Sequence, residues 1–357
     1  MTVVEQASQI SEIGAALSLW PNAIAACEAI GVANAIRKVA SPELGGGVNA
    51  PNGRRIVEAD PDSADRSLGG PAVLIHRAQL QRILLEAASE VDVRVGARCV
   101  NVVQDANGTT VQLHGGLDLR SDATIGADGI WSVVRASLGD DTPPRFTGIA
   151  CWRTLVENPG SLVDSWITAG EGYQFLAAPM ADGLAYVACS ARLSEGNAPA
   201  MGDQVSYLRR TFGGWHDPIP SVLAVLREED LLVNDLYDRP PPKWLVHGRV
   251  ALVGDAAHPM TPDLGQGGCQ AIEDAVVLGD CFRSGGTVEE VLLRYEKRRL
   301  KRVRSTVAAS AQICRVMNTT SMLVAGIRIA AVRALPSSLG LRYLARFASR
   351  ESFEMRR

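Results

Sequence analysis

The segment from Arg249 to Ala275 constrains the fold more than any other part of the chain, because a strand, a glycine-rich turn and a helix follow one another within it. The apolar run Val250 to Val253 predicts a strand that ends at Gly254-Asp255. The glycine-rich turn Gly265 to Gly268 then leads into a helix predicted to begin near Cys269. Glycines in a first helical turn leave backbone N–H groups free to face a ligand, with the positive end of the helix dipole behind them. The segment therefore predicts a strand-to-helix junction that suits an anion.

The rest of the chain divides into α/β ends and a β-rich middle. At both ends, apolar runs stop at acidic or glycine turns and precede helical periodicity, which predicts parallel strands with connecting helices. Residues 148 to 192 contain short runs rich in aromatic and β-branched residues, which predict an inserted antiparallel sheet. From Val288 to Met317 apolar residues recur at helical spacing among many Arg and Lys, which predicts one long helix packed across the outside. We therefore expect an α/β fold with an inserted, mostly antiparallel sheet and C-terminal helices.

Composition limits the classes of partner. The chain has 357 residues, 46% of them apolar, which suffices for one large domain or two closely connected ones. Its net charge of −3 gives no basic surface for nucleic acid, so we expect a small molecule as partner. Seven scattered cysteines without a C-x-x-C pair argue against a disulfide framework and a metal site. Together with an N-terminus unlike a signal peptide, they favour the cytoplasm.

The longest apolar stretch, Ser321 to Leu335, predicts a packed C-terminal helix. It contains Arg328 and Arg333 and is too short to cross a bilayer, so no transmembrane segment is expected. An interfacial membrane helix is the alternative, because these arginines lie among Leu and Ile residues.

Three further motifs carry charged residues. Residues 125 to 135, IGADGIWSVVR, form a second strand-to-helix junction with Asp128 and Arg135. Glu5 ends the apolar run Val3-Val4, and an acidic residue at the end of the second strand of a dinucleotide-binding fold holds ribose hydroxyls. Arg77 opens a predicted helix, and an arginine fork recognises phosphates and planar carbonyl edges. Taken alone, Arg135 and Arg77 would be solvated or salt-bridged, and Glu5 a charge near a terminus.

Together these motifs resemble those of the FAD-dependent aromatic-ring hydroxylases, the single-component flavoprotein monooxygenases. GDAAHPMTPDLGQGGCQAIEDA at residues 254 to 275 is similar to the family's GD motif almost without gaps, and residues 125 to 135 are similar to its DG motif. The GQGGC-x-AIEDA style is shared with bacterial urate and salicylate-type hydroxylases and with zeaxanthin epoxidases. The resemblance implies FAD as the cofactor, held in a Rossmann-like domain.

The resemblance also implies a role for each cofactor-binding candidate. Asp255 would accept a hydrogen bond from the ribityl chain of FAD, and Glu5 would hold the adenosine ribose. Arg77 would lie near the flavin and its phosphates, and Asp128, bridged to Arg135, between the pyrophosphate and the path of the nicotinamide donor. The pyrimidine edge of the isoalloxazine would lie at the glycine-rich turn, which consists of Gly265, Gln266, Gly267 and Gly268.

The same resemblance implies a domain arrangement. Residues 1–44, 76–147 and 248–320 would form a discontinuous FAD-binding domain, residues 45–75 and 148–247 a substrate domain, and residues 321–357 a C-terminal helical segment. The family begins with a strand, G-x-G-x-x-G and a helix that cradle the FAD pyrophosphate, whereas this chain contains no such motif. Gly45-Gly46-Gly47 cannot substitute, since it follows no predicted strand. We expect an unpaired gap in the parallel sheet and weakened FAD binding, through a late-placed start codon, a cut chain or a decayed relative.

The implied reaction uses NADH or NADPH and O2. Oxygen would add to the reduced flavin as a C4a-hydroperoxide and be transferred to a small aromatic or cyclic substrate. The candidate catalytic residues are Pro262, by the flavin face, and Tyr186 and Gln174, in a pocket between the flavin motif and the inserted sheet. Urate enzymes of the subgroup place an Arg where Gln174 stands, and loss of that charge-assisted bond, about 1.5 to 3 kcal/mol, disfavours urate.

Other interpretations remain open at this point. Tyr186 could equally be an ordinary half-buried strand residue. The chain could also be a flavin oxidoreductase that does not hydroxylate, or a truncated non-catalytic relative.

Overall fold

The structure, a computed structural model, describes residues 1–10, 15–42, 47–58, 60–320 and 337–354. The predicted helix over Ser321 to Leu335 and the glycines Gly45 and Gly46 lie outside these residues. Among the helices within these ranges, none combines the length and the hydropathy that a membrane-spanning helix requires.

The strands are β1 (Thr2–Val4), β2 (Ala16–Leu19), β3 (Ser41–Pro42), β4 (Gly47–Asn49), β5 (Arg55–Glu58), β6 (Val73–His76), β7 (Asp92–Arg94), β8 (Cys99–Asp105), β9 (Gly108–Leu113), β10 (Asp118–Ser121), β11 (Thr124–Gly126), β12 (Arg145–Glu157), β13 (Trp166–Ala169), β14 (Tyr173–Pro179), β15 (Leu184–Arg192), β16 (Leu232–Asp238), β17 (Val246–His247) and β18 (Val250–Leu252). The α-helices are α1 (Pro21–Ala29), α2 (Ala33–Val39), α3 (Pro61–Leu68), α4 (Arg77–Ala87), α5 (Val133–Ser137), α6 (Gln204–Phe212), α7 (Ile219–Ala224), α8 (Gly254–Ala257), α9 (Gly267–Arg283), α10 (Val288–Met317), α11 (Ser337–Ala348) and α12 (Arg350–Glu354).

The parallel part of the sheet is in two pieces. β1 pairs with β7, and β11 pairs with β18, both in parallel, but β1 and β11 are not hydrogen-bonded to each other. Each therefore has one edge without a partner strand within the described ranges. Val3 and Ile125 on these strands are 41% and 37% exposed. The expected gap in the parallel sheet is confirmed.

A second sheet of seven strands is antiparallel except where β13 meets β4, in the order β16-β12-β15-β14-β13-β4-β5. One face carries large apolar side chains, such as Trp152 and Phe175, and packs on α6 and α7. Because side chains alternate along a strand, Gln174 and Tyr186 lie on the opposite face. The predicted inserted antiparallel sheet is confirmed, whereas the exact domain boundaries stay predictions.

The long helix α10 spans the predicted residues, and its start is fixed by a capping box between Thr287 and Glu290. Its buried stripe includes Leu292, Tyr295 and Val303, which share a core with β18 and α9. Arg299 and Arg302 of the same helix are also buried, which the periodicity did not predict.

Candidate functional site

Asp255 stands out in the loop after β18, which contains the short helix α8. Its neighbours Gly254, Ala256 and Ala257 are buried, whereas Asp255 is exposed. No hydrogen bond or ion pair joins its carboxylate to the described part of the chain. Gly254 is in the left-handed region, with φ of 55°, and a Cβ there would lie 3.2 Å from Ala271 Cβ. The loop thus presents one free carboxylate at the carboxyl end of a buried strand.

The glycine-rich turn is closed at two positions and open at one. A Cβ on Gly265, whose φ is 63°, would lie 2.7 Å from Trp20 Nε1, and one on Gly268 would lie 3.1 Å from Leu17 Cδ2. A Cβ on Gly267 would meet only Met260 Cγ, at 3.9 Å. No side chain caps the start of α9 at this turn. Its first amides are therefore available to an anionic or carbonyl edge that approaches at Gly267.

The side chain of Gln266 points into the protein. Its Oε1 accepts from Asn22 Nδ2 at 3.0 Å and from Gln270 Nε2 at 3.1 Å. Its Nε2 is buried and has no hydrogen-bond partner among the described residues, and the same holds for Trp20 Nε1 nearby. Gln266 therefore braces the turn, and its predicted contact with a cofactor would be made by the main chain.

A cluster of buried charges lies beneath the loop and the turn; we call it the buried ionic cluster, and it consists of His258, Glu273, Asp274, Arg299 and Arg302. Asp274 Oδ1 accepts from Arg299 Nε at 2.7 Å, and Asp274 Oδ2 lies 2.5 Å from His258 Nε2. Glu273 pairs with both arginines, including Arg302 Nη2 at 2.5 Å. Each of these five residues thus has a partner inside the cluster.

The cluster holds the loop that carries Asp255, because Gly254 N–H donates to Asp274 Oδ2 at 3.0 Å. Burial alone would raise the pKa of Asp274, but Arg299 and His258 outweigh burial and lower the pKa to about 2. Asp274 is therefore a carboxylate in the folded chain at neutral pH. The i, i+3 spacing of Arg299 and Arg302 on one helix face is the sequence signal that could have indicated this arrangement.

The expected bridge between Asp128 and Arg135 is wrong as a direct pair. Asp128 accepts from Ser132 Oγ at 2.5 Å and from Val134 N–H at 3.0 Å, so it orders the start of α5. Arg135 Nε instead donates to Asp140 Oδ2 at 2.8 Å. Arg135 Nη1 donates to the carbonyl oxygens of Ala256 and Ala257 at 3.0 and 2.9 Å. The Arg135 side chain reaches across to the loop after β18, and it thereby ties the two motifs together.

The other two predicted cofactor residues lie on separate elements. Arg77 is exposed, and its guanidinium has no partner among the described residues; its N–H donates to Ala15 O at 3.1 Å. Ala15 directly precedes β2, and Leu17 of β2 lies next to Gly268. The start of β2 therefore separates Arg77 from the glycine-rich turn by only a few residues. Glu5 follows β1 and accepts from Ala7 N–H at 2.7 Å. The described contacts do not bring Glu5 against the other candidates.

The three candidate catalytic residues are arranged along one side of the inserted sheet. Pro262 is exposed on a 3-10 turn, Pro262–Leu264, and the next residue, Asp263, accepts from Asn318 Nδ2 at 3.2 Å. Asn318 Oδ1 in turn accepts from Gln174 Nε2 at 2.9 Å. Tyr186 pairs with Ala178, four positions along β14 from Gln174, or roughly 13 Å. The structure thus joins Pro262 to Gln174 and places Tyr186 further along the same face.

Asp263 and Asn318 were not singled out in the sequence. Burial raises the pKa of Asp263, against hydrogen bonds from Cys314, Thr261 and Gln174. Asn318 lies 144 residues from Gln174 in the chain, so only the fold reveals the pair.

The comparisons with known proteins agree with this geometry. A family model described as FAD binding domain matches residues 1–310. Aurachin C monooxygenase/isomerase of Stigmatella aurantiaca is 32% identical over 340 residues, 94% of this chain and 88% of that protein. FAD-dependent urate hydroxylase of Klebsiella pneumoniae is 33% identical over 335 residues, 90% of this chain and 85% of that protein. The structure of Klebsiella pneumoniae HpxO complexed with FAD and uric acid superposes with a TM-score of 0.90 at 29% identity, covering 97% of this chain and 90% of that one.

Proposed function

Because this chain belongs to the FAD binding domain family, among whose members are FAD-dependent monooxygenases, we propose that it binds FAD and hydroxylates a small aromatic or cyclic substrate. The proposal includes NADH or NADPH as the reductant and O2 as the source of the added oxygen, as the sequence resemblance implies. One observation carries it: the Asp255 carboxylate has no partner among the described residues and lies in an otherwise buried loop, beside a glycine-rich helix start that is open at Gly267.

The described residues fit the cofactor. Asp255 would accept from ribityl hydroxyls, and the first amides of α9 would face the edge of the flavin that becomes negative on reduction. The guanidinium of Arg77, which has no partner in the described part of the chain, would be available to a phosphate or a carbonyl edge. Asp128 already orders α5, so its contribution to a cofactor would be through the position of that helix. When bound and reduced, FAD supplies the activation of O2, and these residues hold and orient it.

The substrate pocket is proposed at the face of the inserted sheet that carries Gln174 and Tyr186. Between them, Leu176 and Ala188 are directly paired, so the middle of this face is apolar. A ring system packs on such a surface, while the polar groups at its ends orient the ring. Urate, on which the Klebsiella relative acts, is disfavoured here because Gln174 carries no charge for an anionic purine.

Isotope labelling tests the reaction. The FAD-loaded chain is supplied with NADH or NADPH, ¹⁸O₂ and a panel of hydroxylated aromatic rings, and products are analysed by mass spectrometry. We expect one ¹⁸O atom per product molecule and oxidation of the nicotinamide in step with product.

The alternatives give different results. Hydrogen peroxide without labelled product would identify a flavin oxidoreductase that does not hydroxylate. If the chain is colourless after incubation with FAD and removal of the unbound FAD, it is a non-catalytic relative, and the proposed function is wrong. A cytoplasmic location also stays a prediction.

A further inference from the structure

We propose that Asn318 fixes the polarity of Gln174, so that Gln174 presents only a hydrogen-bond acceptor to the substrate, which must then carry an N–H or O–H donor at that point. This inference rests on the proposed function, since it concerns the pocket of the same enzyme. It adds Asn318 as a positioning residue and narrows the class of substrate.

The orientation of the Asn318 amide follows from its surroundings. Asn318 is 2% exposed, and its Nδ2 donates to Cys314 O at 3.0 Å and to Asp263 Oδ1 at 3.2 Å. A main-chain carbonyl can only accept, so the NH2 group of Asn318 must face Cys314. The reversed amide would place Oδ1 against two acceptor oxygens in a buried site, which is unfavourable. Because Cys314 O has no proton at any pH, this orientation does not depend on the protonation of Asp263.

Asn318 then fixes Gln174. Its Oδ1 faces Gln174 and can only accept, so the Gln174 amide must turn its Nε2 toward it, as the 2.9 Å contact shows. Gln174 Oε1 lies on the other side of the amide and has no hydrogen-bond partner in the described ranges.

The consequence concerns the substrate. Gln174 is half-buried on the face proposed to hold the ring, so a substrate acceptor placed against Oε1 would leave two acceptors facing each other. A neutral donor, such as a ring N–H, a ring hydroxyl or an amide, satisfies Oε1. A glutamine without this constraint could turn either end to its ligand. Selectivity therefore depends on Asn318, which itself lies behind Gln174.

Two probes of similar shape and no charge test the inference: benzamide, which can donate, and methyl benzoate, which can only accept at the same group. Dissociation constants are measured for the FAD-loaded chain from the change in flavin absorbance. We expect the parent to favour benzamide by about fivefold or more, which corresponds to one hydrogen bond. Gln174→Leu should bring the ratio close to one.

Two substitutions at Asn318 separate positioning from structure. In Asn318→Leu, Gln174 Nε2 loses the acceptor oxygen that faces it at 2.9 Å, so methyl benzoate should bind more tightly and the ratio should fall. In Asn318→Asp, an acceptor oxygen still faces Gln174, so the ratio should be retained even though a second acid beside Asp263 lowers the melting temperature. A structural role alone would weaken both probes in proportion in both variants, and that result would overturn the inference.

Failure of this inference is distinguishable from failure of the proposed function. If FAD binds but the parent shows no preference, or binds neither probe, the placement of Gln174 Oε1 toward the substrate is wrong. If FAD does not bind, the proposed function fails first.

Discussion

Two neighbouring groups of charges in this protein are treated in opposite ways. In the buried ionic cluster, Glu273 and Asp274 are fully buried and paired with Arg299 and Arg302. Asp255, which precedes both acids in the chain, is exposed and has no partner within the described residues. Asp255, Glu273 and Asp274 all belong to the same strand-loop-helix unit, so local sequence composition does not explain the difference.

The contrast distinguishes the charges that stabilise the fold from a carboxylate that is available to a ligand. A buried charge must be paired, because taking it out of water without a partner costs several kcal/mol. An exposed carboxylate in a buried loop costs little and remains available to hydroxyl donors.

The largest expected effect is on the cluster. Arg299→Met would leave Asp274 and Glu273 with fewer counter-charges, and we expect a loss of about 3 to 5 kcal/mol in the free energy of unfolding. Arg298→Met is the matched control, since Arg298 is the neighbouring residue and pairs with Asp280 near the surface, where a loss of about 1 kcal/mol or less is expected. Urea denaturation followed by circular dichroism measures both. Equal losses would mean that the cluster is no more important than a surface pair.

Acid should also destabilise the buried ionic cluster, with a smaller loss in the free energy of unfolding than Arg299→Met causes. The pKa of Asp274 is lowered from its ordinary value of 3.8 to about 2 in the folded chain, so its stabilising contribution is full above pH 4 and is lost as the pH falls toward 2. This contribution is about 2 kcal/mol, and the lowered pKa of Glu273 acts in the same direction. The free energy of unfolding, measured between pH 2 and 6, should depend less on pH in Asp274→Asn than in the parent. The exposed control Asp118→Asn should keep the parent's pH dependence. An unchanged slope in Asp274→Asn would contradict the assignment.

The smallest effect on stability is expected at the open side of the turn. A Cβ on Gly267 meets nothing closer than 3.9 Å, so Gly267→Val should change the free energy of unfolding by less than about 1 kcal/mol. The same change should weaken FAD binding, because a side chain would occupy the approach to the helix start. Gly268→Val, which meets Leu17, is the contrasting variant and should lower stability as well. Fluorescence titration with FAD decides; undiminished affinity in Gly267→Val would place the flavin elsewhere.

Much of the fold could be predicted from the sequence because its signals are local. The helix Val288–Met317 follows from apolar spacing and a Thr-x-x-Glu start. The turn at Gly265 follows from glycine, whose left-handed φ other residues disfavour. The gap between β1 and β11 could also be predicted, because the sequence contains no G-x-G-x-x-G motif.

The parts that could not be predicted depend on distant pairing. Arg135 was expected to pair with Asp128, yet its guanidinium donates to Asp140 and to the carbonyl oxygens of Ala256 and Ala257. These two carbonyls lie more than 100 residues from Arg135 in the chain. The burial of Arg299 depends on acids of α9, and the role of Asn318 depends on β14. A charged residue reads the same in sequence whether it is solvated or paired, so tertiary structure alone decides.

The central claim, that the Asp255 carboxylate, which has no partner within the described residues, binds FAD, is tested most directly by FAD affinity. Dissociation constants are measured for the parent, Asp255→Ala and the control Asp118→Ala, together with their stability in the absence of FAD. We expect Asp255→Ala to lose about 1.5 to 3 kcal/mol of binding free energy, or roughly 10-fold to 150-fold in affinity, with unchanged stability and an unchanged control. Equal affinity in all three proteins, or no binding of FAD by the parent, would contradict the account.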